Sequence, residues 1–80
     1  MQGKVIIINN RKGFIAVQTD YGVTVIELLG DYNIELEDII SGDLESCGSE
    51  DLFNMTQDEE MNTYIQATGC SRSCIKELMY

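Results

Sequence analysis

The sequence predicts a small all-β domain finished by a short C-terminal helix, and three observations carry that reading. Short β-branched runs alternate with Gly-, Asn- and Asp-containing turns through the first thirty residues. A chain of 80 residues supplies one domain and no large cleft between domains. A hydrophobic content of 44% describes a globular chain rather than a disordered one, despite a net charge of −9.

Val5-Ile-Ile-Ile8 is a β-branched run closed by Asn9-Asn10-Arg11-Lys12-Gly13, so a first strand at about residues 3–9 is followed by a hairpin turn. Phe14-Ile-Ala-Val17 resumes the apolar run for a second strand at about 13–19. Asp20-Tyr21-Gly22 turns the chain into a third at about 22–29, ending at Gly30-Asp31. These three strands form a meander, and their consecutive apolar residues depart from the in/out alternation of a sheet with one wet face. Both faces are therefore expected to be covered, one by the core and the other by a local element, a second subunit or a ligand.

Residues 31–43 are acidic, with Leu36, Ile39 and Ile40 at helical spacing for one turn before Ser41-Gly42-Asp43, so a short helix or ordered loop is expected there. Further strands are expected at about 42–47, 51–56 and 60–67, making five to six in all. Ser71 is a suitable N-cap for a helix at about 71–79, in which Cys74, Ile75, Leu78 and Met79 share one side. So short a helix is unstable alone and must dock that stripe on the sheet, which makes it a candidate cover for the outer face.

Five Lys/Arg stand against fourteen Asp/Glu, a balance opposed to ordinary nucleic-acid binding, which requires neutralisation of phosphate. By segment the picture sharpens: residues 1–30 carry three basic and two acidic groups, 31–70 carry eleven acidic and no basic, and 71–80 carry two basic and one acidic. No run is long enough to span a bilayer or form a signal-peptide core, so a cytoplasmic protein without membrane association is expected. Three cysteines, Cys47, Cys70 and Cys74, preclude a complete intramolecular disulfide framework and are read as free thiols in a reducing compartment.

Gly3-Lys4-Val5, Asn9, Lys12-Gly13-Phe14 and Gly22 stand at the spacing of the cold-shock domain, whose first half runs G-K-V-K-W-F-N-x-x-K-G-F-G-F-I. The chain resembles that family over roughly residues 3–29, and Gly42-Asp43-Leu44 is similar to the turn that opens the family's fourth strand. The resemblance implies a small OB-like antiparallel β-barrel that binds single-stranded nucleic acid by stacking bases on aromatic side chains. Of those aromatics the chain keeps Phe14; the other positions fall on Ile7, Ile8, Ala16, Ile26 and Leu28. At roughly 1–3 kcal/mol per base stack, the loss of about four outweighs much of the roughly 8 kcal/mol that micromolar binding needs.

Two surfaces are thus nominated. Lys4, Asn9, Arg11, Lys12 and Phe14 form a basic-aromatic cluster suited to weak single-stranded RNA or DNA binding, or else a solvated hairpin with a core Phe and a turn-forming Asn. Ile7, Ala16, Ile26 and Leu28 form an aliphatic platform suited to a protein partner or a homodimer. The acidic middle, from Glu35 to Glu60, is a solvated face or a dock for a basic partner. Without His there is no activating base for a nucleophile and no recognisable zinc spacing, and the carboxylates lack cation-loop spacing, so no catalytic residue, metal or cofactor is expected.

Overall fold

A computed structural model describes residues 1–80. Six antiparallel strands, β1 (Gln2–Asn9), β2 (Phe14–Thr19), β3 (Gly22–Leu28), β4 (Ile39–Ser41), β5 (Gly48–Asn54) and β6 (Glu59–Cys70), precede one helix, α1 (Arg72–Met79). The strands close into a barrel in the order β1-β2-β3-β6-β5-β4, with β4 pairing back to β1. No helix is long and apolar enough to cross a membrane.

The consecutive apolar residues of the first three strands divide between two layers. Val5, Ile15, Val17 and Ile26 point into the barrel with Ile40, Leu44, Leu52, Met61 and Ile65. Ala16, Val23 and Val25 point outward and meet Met79 of α1, with Ile7, Phe14, Ile75 and Leu78 around them. The expected cover is therefore α1. Burial of Met79, which contributes about 1.5–3 kcal/mol, holds an eight-residue helix that would not persist in water. Ser71 caps it as expected, its Oγ accepting from the Cys74 N–H at 3.3 Å.

β1 changes face through an irregularity in its register with β2 between Val5 and Ile7, so that Val5 and Ile8 serve the barrel interior and Ile7 the outer layer. Gly3 sits where a side chain has no room: an added Cβ would lie 2.4 Å from Val17 Cγ1 and 2.8 Å from the Gln18 carbonyl oxygen. The hairpin between β1 and β2 needs Gly13 at φ 71°, and it is closed by the Gly13 N–H donating to the Asn9 carbonyl.

The middle of the chain follows the ordered-loop alternative as far as Asp38 and departs from expectation beyond it. No helical turn forms around Leu36, Ile39 and Ile40. Glu37 takes φ 74°, which ends any helical run, and Ile39–Ser41 becomes β4, paired with β1 on one side and β5 on the other. The strand expected at 42–47 is instead a turn. Asp43 accepts from the Glu45 N–H and the Ser46 hydroxyl, and this local bonding competes with strand pairing while Leu44 drops into the barrel. β5 begins and ends earlier than the expected 51–56, and β6 runs longer than 60–67, reaching Cys70.

The thiol expectation is also corrected. Cys70 ends β6 and Cys74 lies in the first turn of α1; the intervening turn brings their Cα atoms to 5.4 Å, and they form a disulfide. Cys47 is the free thiol, and it is exposed.

A buried polar knot pins β4. Asp38, buried, accepts through Oδ2 from Asn54 Nδ2 at 2.9 Å, the Glu35 N–H at 3.0 Å and Gln57 Nε2 at 3.2 Å. Its main-chain carbonyl accepts from the Val5 N–H, and Asn54 Oδ1 accepts from the N–H groups of Thr56 and Gln57. Burial pushes the Asp38 carboxyl up, but the three donors outweigh it and hold the group below the ordinary value of 3.8. A depressed carboxyl stabilises the fold above the ordinary value, and that contribution is lost as the pH falls below 3.8 through the lowered folded value. Asp38→Ala is expected to cost about 1–3 kcal/mol by orphaning buried donors, and to lower Tm by about 4–8 °C per kcal/mol. Thermal melts between pH 7 and pH 2 should show the gap between wild type and variant narrowing at the acid end.

Candidate functional site

The basic-aromatic hairpin is built from the β1–β2 turn. Asn9 ends β1, and its Oδ1 accepts from the Lys12 N–H at 3.2 Å, which fixes the turn and places Lys12 above the end of α1. From there Lys12 Nζ donates to the carbonyls of Leu78 at 3.3 Å and Tyr80 at 3.1 Å, and Asn9 Nδ2 donates to the Met79 carbonyl. Carbonyls at a helix C-terminus lack intrahelical donors and carry partial negative charge, so a lysine and an amide are well matched to them. Phe14 is half-buried in the layer beneath the same helix. Three of the five nominated residues, Asn9, Lys12 and Phe14, therefore meet the chain's own helix. Arg11 is exposed at the turn, and Lys4 is exposed on β1, roughly 15 Å up the strand at its rise of about 3.3 Å per residue.

The aliphatic platform does not assemble as one surface. Ile7 and Ala16 lie under α1, whereas Ile26 is fully buried in the barrel core and Leu28 packs against that core. The cause is register: Ala16 pairs with Val25, not Ile26, and Ile26 pairs with Ile15, so Ile26 shares the inward face.

A different surface stands open. Along β5, and along β6 as far as Gln66, the side chains alternate between interior and solvent. The outward set includes Asp51 and Phe53 of β5 and Glu60, Asn62 and Tyr64 of β6. Phe53 pairs with Glu60, Asp51 with Asn62, and Tyr64 lies between Ser49 on one side and Glu27 of β3 on the other. Directly opposed side chains have Cβ atoms about 4.5–5.5 Å apart, so each ring has a carboxylate or a small polar group beside it. Phe53 is 38% exposed and Tyr64 42%. Gln66 Nε2 donates to Glu27 Oε1 at 2.8 Å, which fixes that carboxylate beside Tyr64. Next to the rings a shallow groove of about 440 Å³ crosses β6 from Leu29 to Glu50 and Asp51.

Carboxylates beside exposed rings offer two complementary attractions to a cation: charge from the acids and the negative face of the π-system. The acids were visible in the sequence, but the rings were not assigned to their face. The period-two pattern from Ser49 to Phe53 and from Glu60 to Gln66 is the signal that places them there. No group of three or more His, Cys, Asp or Glu side chains converges to hold a metal ion. No family model, curated protein or solved structure matches the chain.

If Asn9 and Lys12 serve α1, then Lys12→Met should loosen the helix at a cost of about 0.5–1.5 kcal/mol, with little effect on the barrel. Hydrogen exchange of α1 amides is the measurement: faster exchange at residues 75–79 with unchanged β2 and β3 protection is the expected result. Reduction of Cys70–Cys74 by a dithiol should add to the effect, because it frees the other end of the helix.

Proposed function

We propose that this chain is a non-enzymatic interaction module that docks a basic segment of a protein partner on the outer face of β5 and β6. The observation that carries the reading is the placement of Phe53 and Tyr64, both exposed, among Glu27, Asp51 and Glu60 in a stretch of sequence with no basic residue between 31 and 70. A lysine or arginine laid over either ring gains about 0.5–1 kcal/mol at an exposed site, and the neighbouring carboxylates steer its approach. The acidity that disfavours phosphate favours such a partner.

Single-stranded nucleic acid binding through Arg11, Lys12, Gly13 and Phe14, together with Lys4 and Asn9, is the second reading, supported by the resemblance of residues 3–29 to the cold-shock domain. It requires Lys12, Asn9 and Phe14 to leave the helix they now support, so it ranks below the first. Homodimerisation through Ile7, Ala16, Ile26 and Leu28 loses its support, since those positions are divided between the helix-covered layer and the core.

Fluorescence anisotropy with a labelled arginine-rich peptide tests the first reading. Binding at about 10–100 μM in low salt is expected, weakening steeply as salt screens the carboxylates. The double variant Phe53→Ala/Tyr64→Ala and the double variant Asp51→Asn/Glu60→Gln should each weaken it several-fold. Unchanged affinity in both variants, or tighter binding of a labelled single-stranded oligonucleotide abolished by Phe14→Ala, would overturn it.

A further inference from the structure

A second surface, on the side of the barrel where β1 leaves β4, has different chemistry and does not depend on the reading above. β1 pairs with β4 only through Gln2–Lys4, and Lys4 alone is paired on both sides; Ile7, Ile8 and Asn9 pair with β2 alone. Val5 is tied to the 37–38 segment by the Val5 N–H to Asp38 carbonyl bond and the Glu37 N–H to Val5 carbonyl bond. Beyond Val5 the strand has no backbone partner on that side. An unpaired strand edge is a template for another extended chain.

Ile6, Ile7 and Ile8 of that strand line, with Ile34, Leu36 and Tyr80, an open apolar trough of about 460 Å³. Past Tyr80 and Ile7 it continues into a second trough of about 500 Å³ against Ile75, bordered by Arg72 and Lys76. Ile6 is 38% exposed, Leu36 59% and Tyr80 73%, so the apolar surface is open to solvent. The charges differ between its Leu36 side and its α1 side. Glu35 and Glu37 flank Leu36, whereas Arg72 and Lys76, both exposed, are two of the five basic residues in the chain.

We propose that this trough receives an extended segment of a partner protein by strand addition to β1, the segment being aliphatic along its length and acidic at the end that reaches α1. Backbone hydrogen bonds to the free edge of β1 would supply affinity, as in other strand-addition complexes, and alternate aliphatic side chains would lie against Leu36 and Tyr80. Carboxylates at the α1 end meet Arg72 and Lys76; at the other end they would meet Glu35 and Glu37. The charge pattern therefore sets the direction of the segment as well as its composition.

The test uses the full chain and labelled peptides of alternating Val and Thr carrying an aspartate run at one terminus or the other, with an asparagine run as the neutral control. One of the aspartate peptides is expected to bind with Kd below about 100 μM, and the other and the neutral control about tenfold more weakly. Arg72→Glu/Lys76→Glu should abolish the preference for aspartate over asparagine, and Leu36→Asp, on a different element, should weaken every peptide. Asp51→Asn/Glu60→Gln should leave these affinities unchanged, which separates this surface from the β5–β6 face. Equal binding of aspartate and asparagine peptides, or an unaltered preference in the charge-reversed variant, would overturn the proposal. So would light scattering that shows a dimer dissociated by Leu36→Asp, because the trough would then be an interface between copies.

Discussion

Closure of the barrel rests on the three residues of β4 and on the carboxylate that anchors them. A three-residue strand offers few ladder bonds of its own, yet β4 must hold β1 on one side and β5 on the other. Asp38 makes this possible. It stands immediately before β4, draws Asn54 at the end of β5 and the N–H of Glu35 onto one oxygen, and gives its main-chain carbonyl to Val5 of β1. Ile40, fully buried between the two neighbouring strands, completes the seal. Buried polar groups of this kind cost free energy unless every partner is present, and here no buried side-chain polar atom is left without one.

With the barrel closed, the outer face of β1–β3 becomes the next constraint. Ala16, Val23 and Val25 are too apolar to be left in water, and α1 is too short to exist without them. Each stabilises the other, and both ends of the helix are tied down: the disulfide from Cys70 at the start, Lys12 and Asn9 at the finish. The same residues that suggested a ligand site in the β1–β2 hairpin are thereby committed to the fold. What remains available for recognition lies on either side of that covered sector: an acidic face bearing two rings, and an apolar trough with a basic end.

Much of this was readable before the structure. The first three strands, the turn at Gly13, the Ser71 cap and the apolar stripe of α1 all follow from local pattern, because each is decided by neighbours within a few residues. The doubly apolar strands also announced that something must cover them. The errors have separate causes. Ile39 and Ile40 looked helical by spacing, and residues 42–47 looked like a strand. Their conformations are instead set by Asp38 bonding to Asn54, sixteen residues away, and by Asp43 bonding its own loop. Local spacing cannot register a partner as distant as Asn54, and the strand pattern does not count an aspartate that closes its own turn. The free-thiol reading failed since whether Cys70 meets Cys74 depends on the angle at which α1 leaves β6.

By itself, then, the sequence determined the composition of every surface: an all-β chain, a C-terminal helix needing a sheet to dock on, and an acidic middle flanked by weakly basic ends. Tertiary structure decided which residues share a face. One step of register puts Val25 rather than Ile26 beside Ala16, which sends Ile26 into the core and breaks up the aliphatic platform. Side chains alternate across a strand with period two, so a shift of a single residue exchanges inside for outside. That exchange removed Ile26 from the candidate site, α1 covers Phe14, and the outward residues of β5 and β6 are left open.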